Sequence, residues 1–179
     1  GGIIPSDIGD LSNLKILNLS YNNLTGNLPL SLGFLDSLGT LIISGNDSLG
    51  GTIPSEIGNL SQLEILKLHN NNLIGALSDS IFNLYNLKEF SLWGNLLNDE
   101  LSDNICNLNS LVYLSISDNN FTGIIPDCIC SLNYLNWYGQ FEPDYEDGSY
   151  LYNNKFCPPY PDCIDDNVGN QECTSPGSE

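Results

Sequence analysis

The chain repeats itself every 24 residues, and no other feature constrains its fold as tightly. Units begin at Leu11, Leu35, Leu60, Leu84 and Leu108, and an irregular sixth begins at Leu132. The first full unit reads LSNLKILNLSYNNLTGNLPLSLGF and the fifth LNSLVYLSISDNNFTGIIPDCICS. Residues 1–10, GGIIPSDIGD, match the last ten positions of a unit whose beginning is missing. A unit this short cannot bury its apolar side chains alone, so the units must stack.

Each position has a physical task. In the phrase L-x-x-L-x-L-x-x-N, alternate apolar residues such as Leu17 and Leu19 point inward from a short strand. Identical strands of successive units stack in parallel, about 4.8 Å apart, into one long sheet. The strand ends on Asn22, Asn46, Asn71, Asn95 and Asn119, and a buried amide there satisfies backbone groups freed by the turn. The expected result is an asparagine ladder. Glycines follow at Gly26, Gly51, Gly75 and Gly123, where positive φ is expected. Unit four carries Asp99 instead, a residue type that tolerates that region. Unit two holds one extra residue within Gly45-Asn46-Asp47-Ser48-Leu49, expected as a bulge in the turn after its strand.

The run Leu49-Gly50-Gly51-Thr52-Ile53-Pro54-Ser55-Glu56-Ile57-Gly58-Asn59-Leu60 resembles the plant-type subclass of leucine-rich repeats. That subclass occurs in receptor-kinase ectodomains, receptor-like proteins, polygalacturonase-inhibitor-like proteins and surface proteins of some bacteria. The resemblance covers residues 1–135. It implies an α/β fold: a right-handed leucine-rich-repeat solenoid, with a parallel β-sheet on the concave face and short 3-10 or irregular turns on the convex face. Units three and four depart from the pattern, since Ile-Pro becomes Leu77-Ser78 and Leu101-Ser102. A looser second strand on the convex side is expected there.

After Leu135 the pattern breaks into NWYGQFEPDYEDG and resumes as Tyr150-Leu151-Tyr152-Asn153-Asn154-Lys155-Phe156, with Asn154 aligned to the ladder. On this reading residues 136–148 are an acidic insertion. Residues 1–135 form the repeat stack, and residues 136–179 form an irregular last repeat with a Cys-rich cap over the solenoid end. The six cysteines, Cys106, Cys128, Cys130, Cys157, Cys163 and Cys173, are even in number and gathered late, which points to disulfides and an oxidising compartment. Zinc is the weaker reading, because the spacings are not finger spacings and no His lies nearby. Cys106 and Cys130 sit one full period apart, within range of each other; the rival arrangement ties Cys128 or Cys130 to the cap and closes it with Cys163–Cys173.

Acids outnumber bases 22 to 4, with no Arg, which argues against nucleic acid and anionic membranes. No apolar stretch approaches the roughly 20 residues needed to cross a bilayer. The chain has neither Met nor a signal peptide and reads as a mature or trimmed piece. An extracellular or cell-surface location is expected.

The outward strand positions form columns on the concave face. One runs Ser20, Ser44, His69, Trp93, Ser117, Tyr152; a second Ile16, Thr40, Ile65, Glu89, Tyr113; a third Asn18, Ile42, Lys67, Ser91, Ser115, Tyr150. Lys67, His69, Glu89, Trp93, Tyr113, Tyr150 and Tyr152 are the candidate ligand-binding residues, with the aromatics and His69 expected to be exposed. Glu64 and Lys88 are expected to pair across adjacent strands. The run Glu142, Asp144, Glu146, Asp147 is a weak calcium candidate, one residue out of step with an EF-hand. Of five glycosylation sequons, Asn23, Asn59 and Asn120 are the credible acceptors, because Asn18 faces the concave side and Asn46 belongs to the ladder.

These features point to an extracellular recognition module that binds a protein or carbohydrate, needs no cofactor and carries no catalytic set. A glycosidase would need two carboxylates facing one cleft, and Glu89 has no second acid beside it. The alternatives are a secreted enzyme inhibitor, or a structural segment of an adhesin or filament that self-associates end to end through its uncapped start. Ice binding ranks low among them, since Lys67, His69 and Trp93 interrupt any regular array of small polar residues.

Overall fold

The computed structural model describes residues 1–137, 149–164 and 168–173. Each repeat contributes two short strands and one 3-10 turn. The first strand of each unit gives β1 (Ile16–Asn18), β3 (Thr40–Ile42), β5 (Ile65–Lys67), β7 (Glu89–Ser91) and β9 (Tyr113–Ser115), all parallel in that order. The register runs Ile16, Thr40, Ile65, Glu89, Tyr113, as the column alignment requires. Beyond β9 the sheet continues through a bridge from Ser115 to Tyr150, with the Ile116 and Asp118 N–H groups donating to the Tyr150 and Tyr152 carbonyls. The second strands, β2 (Thr25–Asn27), β4 (Ser48–Gly51), β6 (Asn72–Gly75), β8 (Leu96–Glu100) and β10 (Asn120–Thr122), form another parallel sheet. One 3-10 turn, Ser55–Asn59 for example, closes each unit.

Three apolar rows fill the space between these walls. Leu41, Leu66, Phe90 and Leu114 come from the first sheet, Leu49, Leu73, Leu97 and Phe121 from the second, and Ile57, Ile81, Ile105 and Ile129 from the turns. All are buried, as a stack that shares one continuous core demands. Successive turns touch closely where the sequence offers glycine. A Cβ on Gly58 would lie 2.2 Å from the Ser80 carbonyl oxygen. Phe82, Cys106 and Cys130 occupy that position later in the chain, and the turns from Asp79–Asn83 onward pack less closely.

The expected loosening of the convex strand in units three and four does not occur. β6 has 4 residues and β8 has 5, against 3 in β2 and β10. Serine substitutes for proline because it holds the same backbone: Ser78 has φ −67 and ψ 138, Pro54 φ −61 and ψ 137. The serines also cap their turns, accepting from the Ser80 and Asn104 N–H groups. Asp99 takes φ 85, matching the glycines it replaces. The extra residue of unit two is absorbed in a turn closed by Leu49 N–H to the Asn46 carbonyl, 2.8 Å.

The ladder is present with a corrected membership. Asn46, Asn71, Asn95 and Asn119 are buried, and each carboxamide oxygen accepts from a backbone N–H of the preceding unit while its NH2 donates to carbonyls. Asn22 is exposed and its amide donates within its own turn, to the Ser20 carbonyl. Asn154 joins as expected, accepting from Phe121 N–H at 3.0 Å. The last rung is Gln171, which the spacing did not suggest: it accepts from Phe156 N–H and donates to the Leu151 and Val168 carbonyls.

The disulfides are Cys106–Cys128, Cys130–Cys163 and Cys157–Cys173. Cys106 does not reach Cys130, and Cys163 does not reach Cys173. Equivalent positions on stacked turns aim their side chains in the same direction rather than at each other. Cys128, two residues earlier in its turn, faces back to Cys106, which leaves Cys130 for the cap. Phe156, Ile164 and Val168 close the core there, with Phe156 stacked on Phe121 at 6.2 Å.

Candidate ligand-binding face

A parallel sheet hydrogen-bonded along its whole length is a rigid platform, and its outward side chains have fixed relative positions. The column predicted to run from Ser44 to Tyr152 is in register: Gly45 N–H donates to the His69 carbonyl, Asn70 to Trp93, Gly94 to Ser117 and Asp118 to Tyr152. Trp93 stacks on His69, with ring centroids 4.9 Å apart and planes 10° apart. His69 is 4% exposed, so the expectation of an exposed histidine was wrong. Its ring fills the sheet surface beside Trp93, and Nδ1 lies 3.1 Å from the Ser91 hydroxyl.

Trp93, Tyr113 and Tyr150 are half-buried, and Tyr152 is 38% exposed, packed edge-on against Tyr150 at 5.9 Å. Each therefore keeps part of its ring available over the last three strands. Lys67 and Glu89 form an ion pair at 3.1 Å, reaching diagonally between β5 and β7. The pair is only 22% and 31% exposed, so solvent screens it less than Lys88–Glu64, paired at 2.7 Å and about half exposed. The exposed pair contributes less than about 1 kcal/mol to stability.

The outward strand positions hold Lys15, Lys67 and Lys88 against Glu64, Glu89 and Asp118. Three of the chain's four Lys thus lie on one face of a molecule with formal charge −18. Among the described residues the charges at these outward positions balance. No group of three or more potential metal ligands occurs among the described residues. Glu142, Asp144, Glu146 and Asp147 lie outside them. Of the sequon asparagines, Asn23 and Asn59 are exposed, Asn120 is half-buried and Asn46 is fully buried. Among the described residues no helix is long and apolar enough to cross a membrane.

One further residue departs from its column and was not singled out by sequence. The position before each ladder residue is held at φ between 52° and 67°, as Tyr21, Gly45, Asn70, Gly94, Asp118 and Asn153. Gly, Asn and Asp suit that conformation; Tyr does not. The signal was available in the aligned repeats, as a bulky residue in a column of small polar ones.

The Leucine Rich Repeat family model matches residues 13–35, 62–84 and 110–132. A 50-residue stretch is 40% identical to a probable leucine-rich-repeat receptor-like serine/threonine-protein kinase, RPK1, of Arabidopsis thaliana, covering 28% of this chain and 9% of that one. The plant peptide hormone receptor RGFR1 in complex with RGF2 superposes with a TM-score of 0.78 at 34% identity, over 87% of this chain and 23% of the other. A chain of the BIR3–SERK2 complex from Arabidopsis thaliana gives a TM-score of 0.65 at 31% identity, over 82% of this chain and 72% of that one. The chain spans less than a quarter of the first two relatives. Repeat, register, ladder and these likenesses agree: the chain belongs to the leucine-rich-repeat family, in its plant-type subclass.

Proposed function

We propose that the chain is an extracellular recognition module that binds a peptide segment of a protein ligand on the C-terminal half of its concave face, without catalysing a reaction. The observation that carries this reading is the cluster of Trp93, Tyr113, Tyr150 and Tyr152 on one rigid sheet around the Lys67–Glu89 pair. Large rings with few rotatable bonds give up little entropy on binding, and a central ion pair fixes orientation. The balanced charge of this face suits a peptide of mixed polarity. The similarity to RGFR1, a peptide hormone receptor in complex with RGF2, supports the same reading. Three disulfides fit an oxidising, extracellular setting, where Asn23, Asn59 and Asn120 would be the glycan acceptors. In this scheme residues 1–135 are the recognition stack and residues 136–179 its last repeat and cap.

The test is selection of binders from a random peptide display library on the wild-type chain, followed by affinity measurement on variants. Trp93→Ala and Tyr113→Ala should each weaken binding by about 2 kcal/mol or more. Their Tm should move by less than about 4 °C. Loss of binding only together with unfolding, or a selection that yields no peptide sensitive to Trp93, sinks the proposal.

A further inference from the structure

The rim of the sheet, where each first strand ends, holds a cleft of about 530 Å³ lined by Tyr21, Asn23, Asp47, Asn70, Asn71 and Asn72, with backbone exposed at Gly45 and Gly94. Its size suits a small-molecule site. Tyr21 is 74% exposed, so the core does not require it, yet it sits in the left-handed region where a bulky side chain is strained. Its ring lies over Gly45, where a Cβ would fall 2.3 Å from the Tyr21 Cε1. The next open position, Gly94, lies under the Asn70 amide, where a Cβ would be 2.5 Å from Oδ1. A strained, solvent-facing aromatic kept in place over a glycine points to a use at the surface.

We propose that this cleft is a subsite for a neutral saccharide, separate from the peptide-binding face. A pyranose presents an apolar C–H face and a ring of hydroxyls that both donate and accept. The Tyr21 ring offers a flat platform for the first. The amides of Asn70 and Asn72 offer donors and acceptors for the second, and Asp47 offers a carboxylate acceptor. Asp47 is the one charged side chain in the lining, so an anionic sugar or a phosphate is disfavoured. A single carboxylate also falls short of the oxygen set a calcium ion needs.

The test uses isotope-labelled full chain made without glycosylation, so that no glycan on Asn23 fills the cleft. It is titrated with cellohexaose, chitohexaose and an oligogalacturonide at millimolar concentration and followed by NMR. At least one neutral hexasaccharide should shift the amides of Tyr21, Asp47 and Asn70, and the oligogalacturonide should bind more weakly. Tyr21→Gly should weaken binding at least tenfold while raising Tm, since glycine relieves the backbone strain. Tyr21→Phe keeps the ring and should retain most of the affinity, and Tyr85→Ala, on an exposed side chain outside both sites, should leave it unchanged. The proposal is overturned if neither neutral saccharide shifts these amides, if Tyr21→Gly binds as well as wild type, or if the saccharide instead shifts the amides of Tyr150 and Tyr152 at the far end of the sheet.

Discussion

The Asn95 carboxamide accepts from Leu73 N–H at 3.0 Å and donates to the Leu68 and Leu92 carbonyls at 3.0 and 2.8 Å. All of these groups are buried, and an unsatisfied buried backbone group is destabilising by about 1–3 kcal/mol. Asn95→Ala strands the Leu73 N–H, while the Leu68 and Leu92 carbonyls keep the Asn71 and Asn119 amides as second donors, so it is expected to lower stability by about 1–3 kcal/mol. Asn22→Ala removes a side chain that is exposed and donates only to the Ser20 carbonyl, so its effect should stay within about 0.5 kcal/mol. Urea denaturation of both variants checks the contrast, and equal effects would contradict the ladder as the source of the difference. Both asparagines stand in the same column of the aligned repeats, so sequence could not separate them. Burial depends on having a unit on each side, which is a property of the stack and not of the position. Gln171 was missed for a related reason: its longer side chain plays the same part, but it arrives less than one period after Asn154.

At the level of a single turn, proline and serine solve one problem by different means. Proline presets the extended residue before the 3-10 turn, whereas Ser78 and Ser102 adopt the same backbone and add a side-chain cap. The sequence pattern read the loss of Ile-Pro as a weakening because it counted the lost rigidity and not the gained hydrogen bond. The two serines are not equivalent. Ser78 accepts from Ser80 N–H at a long 3.4 Å, while Ser102 accepts from Asn104 N–H at 3.2 Å and also hydrogen-bonds to the Asp79 carboxylate. Ser78→Pro should therefore be neutral to slightly stabilising, since restricting the unfolded chain gains about 0.4–1 kcal/mol. Ser102→Pro should destabilise. Ser102 and Asn104 hold the Asp79 carboxyl below its ordinary value, so the folded group titrates lower than the unfolded one. That contribution is present above the unfolded pKa of about 3.9 and fades as pH falls through the lower, folded value. The deficit of Ser102→Pro relative to wild type should accordingly be larger at neutral pH than in acid. Thermal melts at both pH values decide it, and a pH-independent deficit would show that Asp79 plays no part.

Across the whole molecule, the period made the stack, the core rows and the columns legible, because each is a statement about equivalent positions. The disulfide pairing was not legible in that way, since a repeat says which residues are equivalent and not which way each one faces. The bonds fall where the packing is thinnest. Glycine lets the early turns approach closely, Phe82, Cys106 and Cys130 hold the later ones apart, and Cys106–Cys128 and Cys130–Cys163 tie those later turns to each other and to the cap. In a stack where each unit touches only its neighbours, such a tie should act locally. The Cys130–Cys163 link closes a sequence separation of 33 residues, for which the chain-entropy model gives about 3–4 kcal/mol. Replacing both cysteines by serine should free the cap and lay bare the core behind Phe121 and Phe156. The amides of Ile116 and Phe121, which donate to the Tyr150 carbonyl and the Asn154 side chain, should then exchange with solvent on the order of several hundredfold faster, as that free energy implies. The amides of Ile43 and Leu68, bonded to Lys67 and Ser91 in the middle of the sheet, should keep most of their protection. Hydrogen exchange followed residue by residue would reveal the gradient. A uniform loss from one end of the sheet to the other would mean instead that the stack unfolds as a single cooperative unit, with the cap bond stabilising all of it equally.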